Sequence, residues 1–142
     1  MKILSLIIML FLATTVNADM FTDDLVQELN TKFNVNYRNC EIISNHACKR
    51  LEDQQFGYVS NVGVHAPHRV KGHRIVVYAD RFGDLYMVTS PWDISQEPKI
   101  IIQKVNGNHL FDACRMIYPN WNRVIYYDRA GHKLRQYKRK VI

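Results

Sequence analysis

At Gly57 the spacing of apolar residues changes from a helical period to an alternating one, and that switch limits the folds open to the chain. Before it, Phe21, Leu25, Leu29 and Phe33 fall four apart, with Val26 beside them. Thr22, followed by Asp23 and Asp24, predicts a helix start with a capping hydroxyl and acids at the positive end of the helix dipole. Lys32 sits where a last turn favours a cation. A second helix is expected from Asn39 to about Asp53, where Cys40, Ile43, Ala47, Cys48 and Leu51 share a face. A short strand over Tyr37 to Ile43 is the competing reading.

After Gly57 the pattern is that of strands. Tyr58, Val62 and Val64 occupy period-two positions, and Ile75-Val76-Val77-Tyr78 is a β-branched run. Leu85 to Thr89 predicts a returning strand across Asp80-Arg81-Phe82-Gly83. Pro91 to Pro98 reads as a loop, and Ile100-Ile101-Ile102 leads a third strand. His109 to Tyr118 fits either helix or strand, with Asn108 as its cap. Val124 to Tyr127 and Leu134 to Tyr137 flank a last hairpin. Helices first and antiparallel strands later predict an α+β fold, with N-terminal helices packed on an antiparallel β-sheet built from hairpins.

One turn occurs twice. Tyr78-Ala79-Asp80-Arg81-Phe82-Gly83 matches Tyr126-Tyr127-Asp128-Arg129-Ala130-Gly131 at an offset of 48. Asp bonds the backbone ahead of it and Gly accepts the left-handed conformation of a tight hairpin, so both segments predict the same turn.

The chain has 142 residues, enough for one hydrophobic core. Lys2, the apolar run Ile3 to Ala13 and the small-residue site ending at Ala18 form the three-part pattern of a secretory signal peptide. The run is shorter than the roughly 20 apolar residues of a membrane span. The expectation is a signal peptide at residues 1–18, cleavage after Ala18, and one α+β domain over residues 19–142. That domain would be secreted or periplasmic, with no stable membrane insertion. In such a compartment Cys40, Cys48 and Cys114 predict one disulfide. Cys40 and Cys48 on one continuous helix stand about 12 Å apart, too far to bond. The predicted pair is therefore Cys114 with Cys48 or Cys40.

Charge is concentrated late in the chain. Residues 113–142 hold eight basic residues and one acid, whereas residues 19–112 hold ten basic and twelve acidic ones. Clustering of this kind is an electrostatic footprint for an acidic protein or a nucleic acid, and Tyr126, Tyr127 and Tyr137 lie among the cations. Arg129, Lys133, Arg135, Tyr137 and Lys138 are the binding candidates here. A solvated basic terminus explains the same run without a partner.

The second candidate is the segment His65 to Arg74. Three of the six histidines fall within it, and no acid occurs between Asp53 and Asp80. Three imidazoles can bind zinc, but the local cations repel a divalent ion and no carboxylate stands by to orient the ligands. No metal or cofactor is expected. Metal-free cleavage of RNA needs a base, an acid and cations for the developing charge. His65, His68 and His73 supply the first two, with Lys71, Arg69 and Arg74 for the third. No phosphate-binding glycine loop, nucleophile elbow or paired cysteine motif is present. The leading functional expectation is a small basic binding protein whose C-terminal hairpin contacts an acidic partner. A metal-independent secreted ribonuclease, or a toxin like one, is the alternative.

Overall fold

The β-branched run Ile75-Val76-Val77 becomes the middle of the sheet, and its period of two sends neighbouring valines into different cores. The computed structural model describes residues 20–140; the expected signal peptide lies outside them. Helix α1 covers residues 20–32, followed by α2 (Cys40–Asp53), β1 (Val59–His65), β2 (His73–Ala79), β3 (Leu85–Thr89) and β4 (Ile101–Lys104). Helix α3 (Leu110–Ile117), β5 (Arg123–Tyr127) and β6 (Lys133–Lys138) complete the described residues.

The six strands form one sheet in the order β4-β3-β2-β1-β5-β6, with every neighbouring pair antiparallel. This is the predicted α+β architecture. Strands β1 to β4 run as a meander. The chain then crosses through α3 to bring β5 against the free edge of β1.

Both faces of the central strands are covered. On one face Leu25, Leu29, Ile43, Ala47 and Leu51 of α1 and α2 bury against Val76, Tyr78 and Val88. On the other, Leu110, Ala113 and Ile117 of α3 bury against Val62, Val64, Ile75, Val77 and Met87. β2 is accordingly buried at six of its seven positions, as expected of a strand with apolar layers on both sides. β6 is the opposite case: an edge strand exposed along its whole length.

The twin turns adopt one geometry. Asp80 Oδ1 accepts from the amides of Phe82 and Asp84, both at 2.9 Å. Asp128 Oδ1 accepts from those of Ala130 at 2.9 Å and His132 at 2.8 Å. Gly83 (φ 84°) and Gly131 (φ 89°) take the left-handed position in the two turns.

Three expectations are corrected. Thr22 is not a cap, because α1 already includes residues 20 and 21. Phe21, inside the helix, packs its ring 5.9 Å from that of Phe56. At α3 the cap is His109 rather than Asn108: its Nδ1 accepts from the Phe111 amide at 3.0 Å, and Asp112 Oδ2 accepts from the His109 amide at 3.1 Å. The predicted disulfide is absent, and all three cysteines are free. Cys48 on α2 belongs to one core and Cys114 on α3 to the other, so the sheet itself stands between them. Cys40 and Cys48 share the continuous helix α2, which keeps those two apart. Among the described residues no helix is long and apolar enough to cross a membrane.

Candidate functional site

The histidine-rich segment is split between two faces. β1 ends at His65 and β2 begins at His73, with residues 66–72 between them. Val64 is the cross-strand partner of His73, so these two share a face and His65 projects from the other.

His73 is buried at 2% exposure. Its Nε2 lies 2.8 Å from Thr89 Oγ1, and that hydroxyl donates to the Ser90 carbonyl at 2.9 Å, so it accepts from Nε2–H. Burial pushes the His73 pKa down to about 3, and the imidazole is neutral at any ordinary pH. The Trp92 ring closes over it at 5.5 Å. His68 stands exposed at the loop with φ 66°, beside exposed Arg69 and Lys71. Arg69 turns to the Tyr118 ring, 5.2 Å from its centre. The three imidazoles therefore do not converge.

On the face that carries His65, cross-strand register builds a basic row. His65 is the partner of Arg123 on β5, and Arg123 is the partner of Lys138 on β6. Residues 58 and 15 positions apart in sequence thus stand side by side on three strands. His65 Nδ1 lies 3.4 Å from Arg123 Nη2. Burial, then the charges of Arg123 and Arg74, hold the His65 pKa below the ordinary imidazole value.

Arg74 flanks this row on the same face. Only 7% exposed, it donates from Nη1 to Asn45 Oδ1 at 2.9 Å, and its guanidinium carbon lies 3.4 Å from the centre of the Tyr127 ring. Its carboxylate neighbour, Glu41, is 3.9 Å away and exposed. Asn45 Oδ1 also accepts from Asn61 Nδ2 at 2.8 Å. Two glycines make room for these side chains. A β-carbon on Gly63 would come within 3.2 Å of the Tyr127 ring, and one on Gly72 within 2.6 Å of His65 Cε1.

The C-terminal hairpin divides between the faces: Lys138 joins the row, whereas Arg135 and Tyr137, partners of Tyr126 and Val124, belong to the face that α3 covers. Lys133 reaches Gln136 at 3.4 Å, and the Arg135 guanidinium lies over the Tyr126 ring at 4.5 Å. Tyr137 packs against Phe111 with ring centres 4.8 Å apart and the planes tilted by 33°. Among the described residues, no carboxylate pairs with Lys133, Arg135 or Lys138. Arg129 does not join them. It is held at the turn by Asp53 at 2.7 Å and Glu52 at 3.6 Å, and the hydrogen bond to Asp53 raises its pKa.

The site is thus one basic face assembled from both sequence candidates: His65 and Arg74 from the histidine-rich segment, Lys138 from the hairpin, and Arg123 between them. Arg123 was visible in sequence only as one cation among eight. Nothing in the local pattern marks it, because its importance comes from the pairing of β1 with β5. Among the described residues no group of three His, Cys, Asp or Glu side chains is arranged to hold a metal ion. Comparison of the chain with protein-family models, with curated proteins and with solved structures yields no match.

Proposed function

We propose that this chain binds an acidic partner through the β5–β6 side of its sheet. The observation that carries the reading is the row His65–Arg123–Lys138, set by strand register, in which neither Arg123 nor Lys138 has a carboxylate partner among the described residues. An unneutralised row of this kind raises the local concentration of an anion and speeds its encounter. An acidic polypeptide fits better than a single-stranded nucleic acid. Two of the three hairpin rings that base stacking would use are engaged by cations within the chain, Tyr126 by Arg135 and Tyr127 by Arg74. An exported setting, expected from residues 1–18, belongs to the same reading.

The ribonuclease alternative keeps one supporting feature, the imidazole of His65 beside Arg123 with a lowered pKa. It needs a second proton-transfer group on the same phosphate.

The test uses the full chain with a glutamate-rich peptide and a labelled single-stranded RNA. The peptide should bind with an affinity that falls steeply with salt, and Arg123→Ala with Lys138→Ala should weaken it about tenfold or more. RNA cleavage that persists in chelator and is lost in His65→Ala would replace this reading with the alternative. Peptide affinity indifferent to both salt and the double substitution would remove it.

A further inference from the structure

The opposite face of the sheet carries a cleft of about 360 Å³, within the size range of small-molecule sites. Its apolar floor is Leu85 and Leu110, 8% and 4% exposed. Its remaining walls are Tyr58, Ser60, Asn108, His109, Tyr126 and Arg135, and no carboxylate lines it.

Several of these polar groups are fixed as donors. His109 Nδ1 is committed as an acceptor to the Phe111 amide, so in the neutral ring the proton sits on Nε2. Burial, with Tyr58 beside it, raises the pKa of the Tyr126 phenol and keeps its proton on. Arg135 lies over the Tyr126 ring at 4.5 Å, which sets the guanidinium at the cleft with no described carboxylate to neutralise it. Tyr58 and Ser60 precede and share the face of Val62, whose partner across β5 is Tyr126; Arg135 is the next partner on β6. Register therefore places donors from three strands on one wall and the start of α3 on the other.

We propose that this cleft binds a small organic anion, with its carboxylate or phosphate held by Arg135 and the surrounding donors and its apolar body on Leu85 and Leu110. A cavity that offers donors, one free cation and an apolar floor matches a headgroup that only accepts and a body that leaves water. The cleft stands on the face opposite the His65 row, so it is separate from the acidic-partner surface except for the hairpin that carries Arg135.

The experiment is an NMR titration of the ¹⁵N-labelled full chain with phenyl phosphate and with benzoate. Benzyl alcohol, which lacks the charge, and inorganic phosphate, which lacks the body, serve as controls. Both organic anions should shift the amides of Ser60, Leu85 and Leu110, and the tighter of the two identifies the preferred headgroup. Both controls should bind about tenfold more weakly or worse. Arg135→Gln should weaken the anions about tenfold, and Tyr58→Phe a few-fold. His109→Asn, which keeps a capping acceptor, should weaken them while leaving α3 intact. The proposal is overturned if neither anion moves these amides, if benzyl alcohol binds as tightly, or if Arg135→Gln and Tyr58→Phe both leave the affinity unchanged. Shifts confined to Arg123 and Lys138 also overturn it, since the anion would then sit on the other face.

Discussion

The backbone of Gly131 passes so close to Asn45 that a β-carbon on the glycine would lie 2.6 Å from the Asn45 Nδ2. At Gly83, in the matching turn, an added β-carbon meets nothing within 4 Å. Both glycines have positive φ, so replacement by Ala costs each turn about 1 kcal/mol in backbone strain. Gly131→Ala must also displace Asn45, which accepts from Arg74 and Asn61. We expect it to cost about 1 kcal/mol more than Gly83→Ala. Urea denaturation of the two variants checks this, and equal losses would show that Asn45 moves aside freely.

Arg74 and Tyr127 form a largely buried cation–π pair. An attraction of this kind, shielded from water, reaches about 2 kcal/mol. A double-mutant cycle with Arg74→Met and Tyr127→Leu should give a coupling of about 1–2 kcal/mol. Additive losses would mean that Arg74 is held by Asn45 and Glu41 and not by the ring.

The sequence displayed what is local. The apolar spacing of Ile43, Ala47 and Leu51 located α2 to within a residue of its start, and Leu85–Thr89 was read with its observed bounds. The twin Asp and Gly positions marked two hairpins because the turn chemistry lies within five residues. Segments where local signals conflict were not resolved. Within residues 109–118 the helix Leu110–Ile117 forms because Leu110, Ala113, Cys114 and Ile117 bury one face against the sheet, a reason that lies outside the segment. The basic row was illegible for the same reason. His65, Arg123 and Lys138 become neighbours only through the pairings β1–β5 and β5–β6. Likewise, spacing within the histidine-rich segment could not show that His65 and His73 point to opposite faces, because that depends on where β1 ends and β2 begins.

His73 predicts a loss of stability in mild acid. Its folded pKa is about 3, below the 6.5 of a free imidazole. Below pH 6.5 the unfolded chain therefore takes up a proton that the folded chain refuses. Stability is full above about pH 6.5 and falls as the pH drops, by up to about 1.4 kcal/mol per pH unit, until pH 3. His65, lowered mainly by its burial, acts in the same direction. The carboxyls of Glu28, Asp112 and Asp128 are lowered from values already below 5, so they add losses only at lower pH. The interval from pH 6.5 to 5 thus isolates the imidazoles. Denaturation midpoints across it should decline in the parent chain and flatten in His73→Gln, which keeps a donor for Thr89. An unchanged slope in that variant would place the effect elsewhere.

The cysteines should differ in reactivity. Burial pushes the thiols of Cys48 and Cys114 up to about 12, leaving about one part in ten thousand as thiolate at pH 8. Cys40, partly exposed at the start of α2, should react first with iodoacetamide in the native chain. Mass spectrometry should find one label before unfolding and three after, with no reductant needed. Fewer than three labels after unfolding would indicate a disulfide.

Strand β1 is held on one edge by β2 and on the other by β5, and both partners follow it in the chain, β2 at once and β5 only after β3, β4 and α3. A chain made from its N-terminus possesses α2 and β1 to β4 while α3, β5 and β6 are still unmade. Until they arrive, Val62, Val64 and Ile75 face water beside an unpaired strand edge, the arrangement that invites a second chain to add its own strand. The late basic residues therefore reach the sheet together with the segment that seals it, and a nascent chain halted before Arg123 would be the form most prone to associate with its own kind.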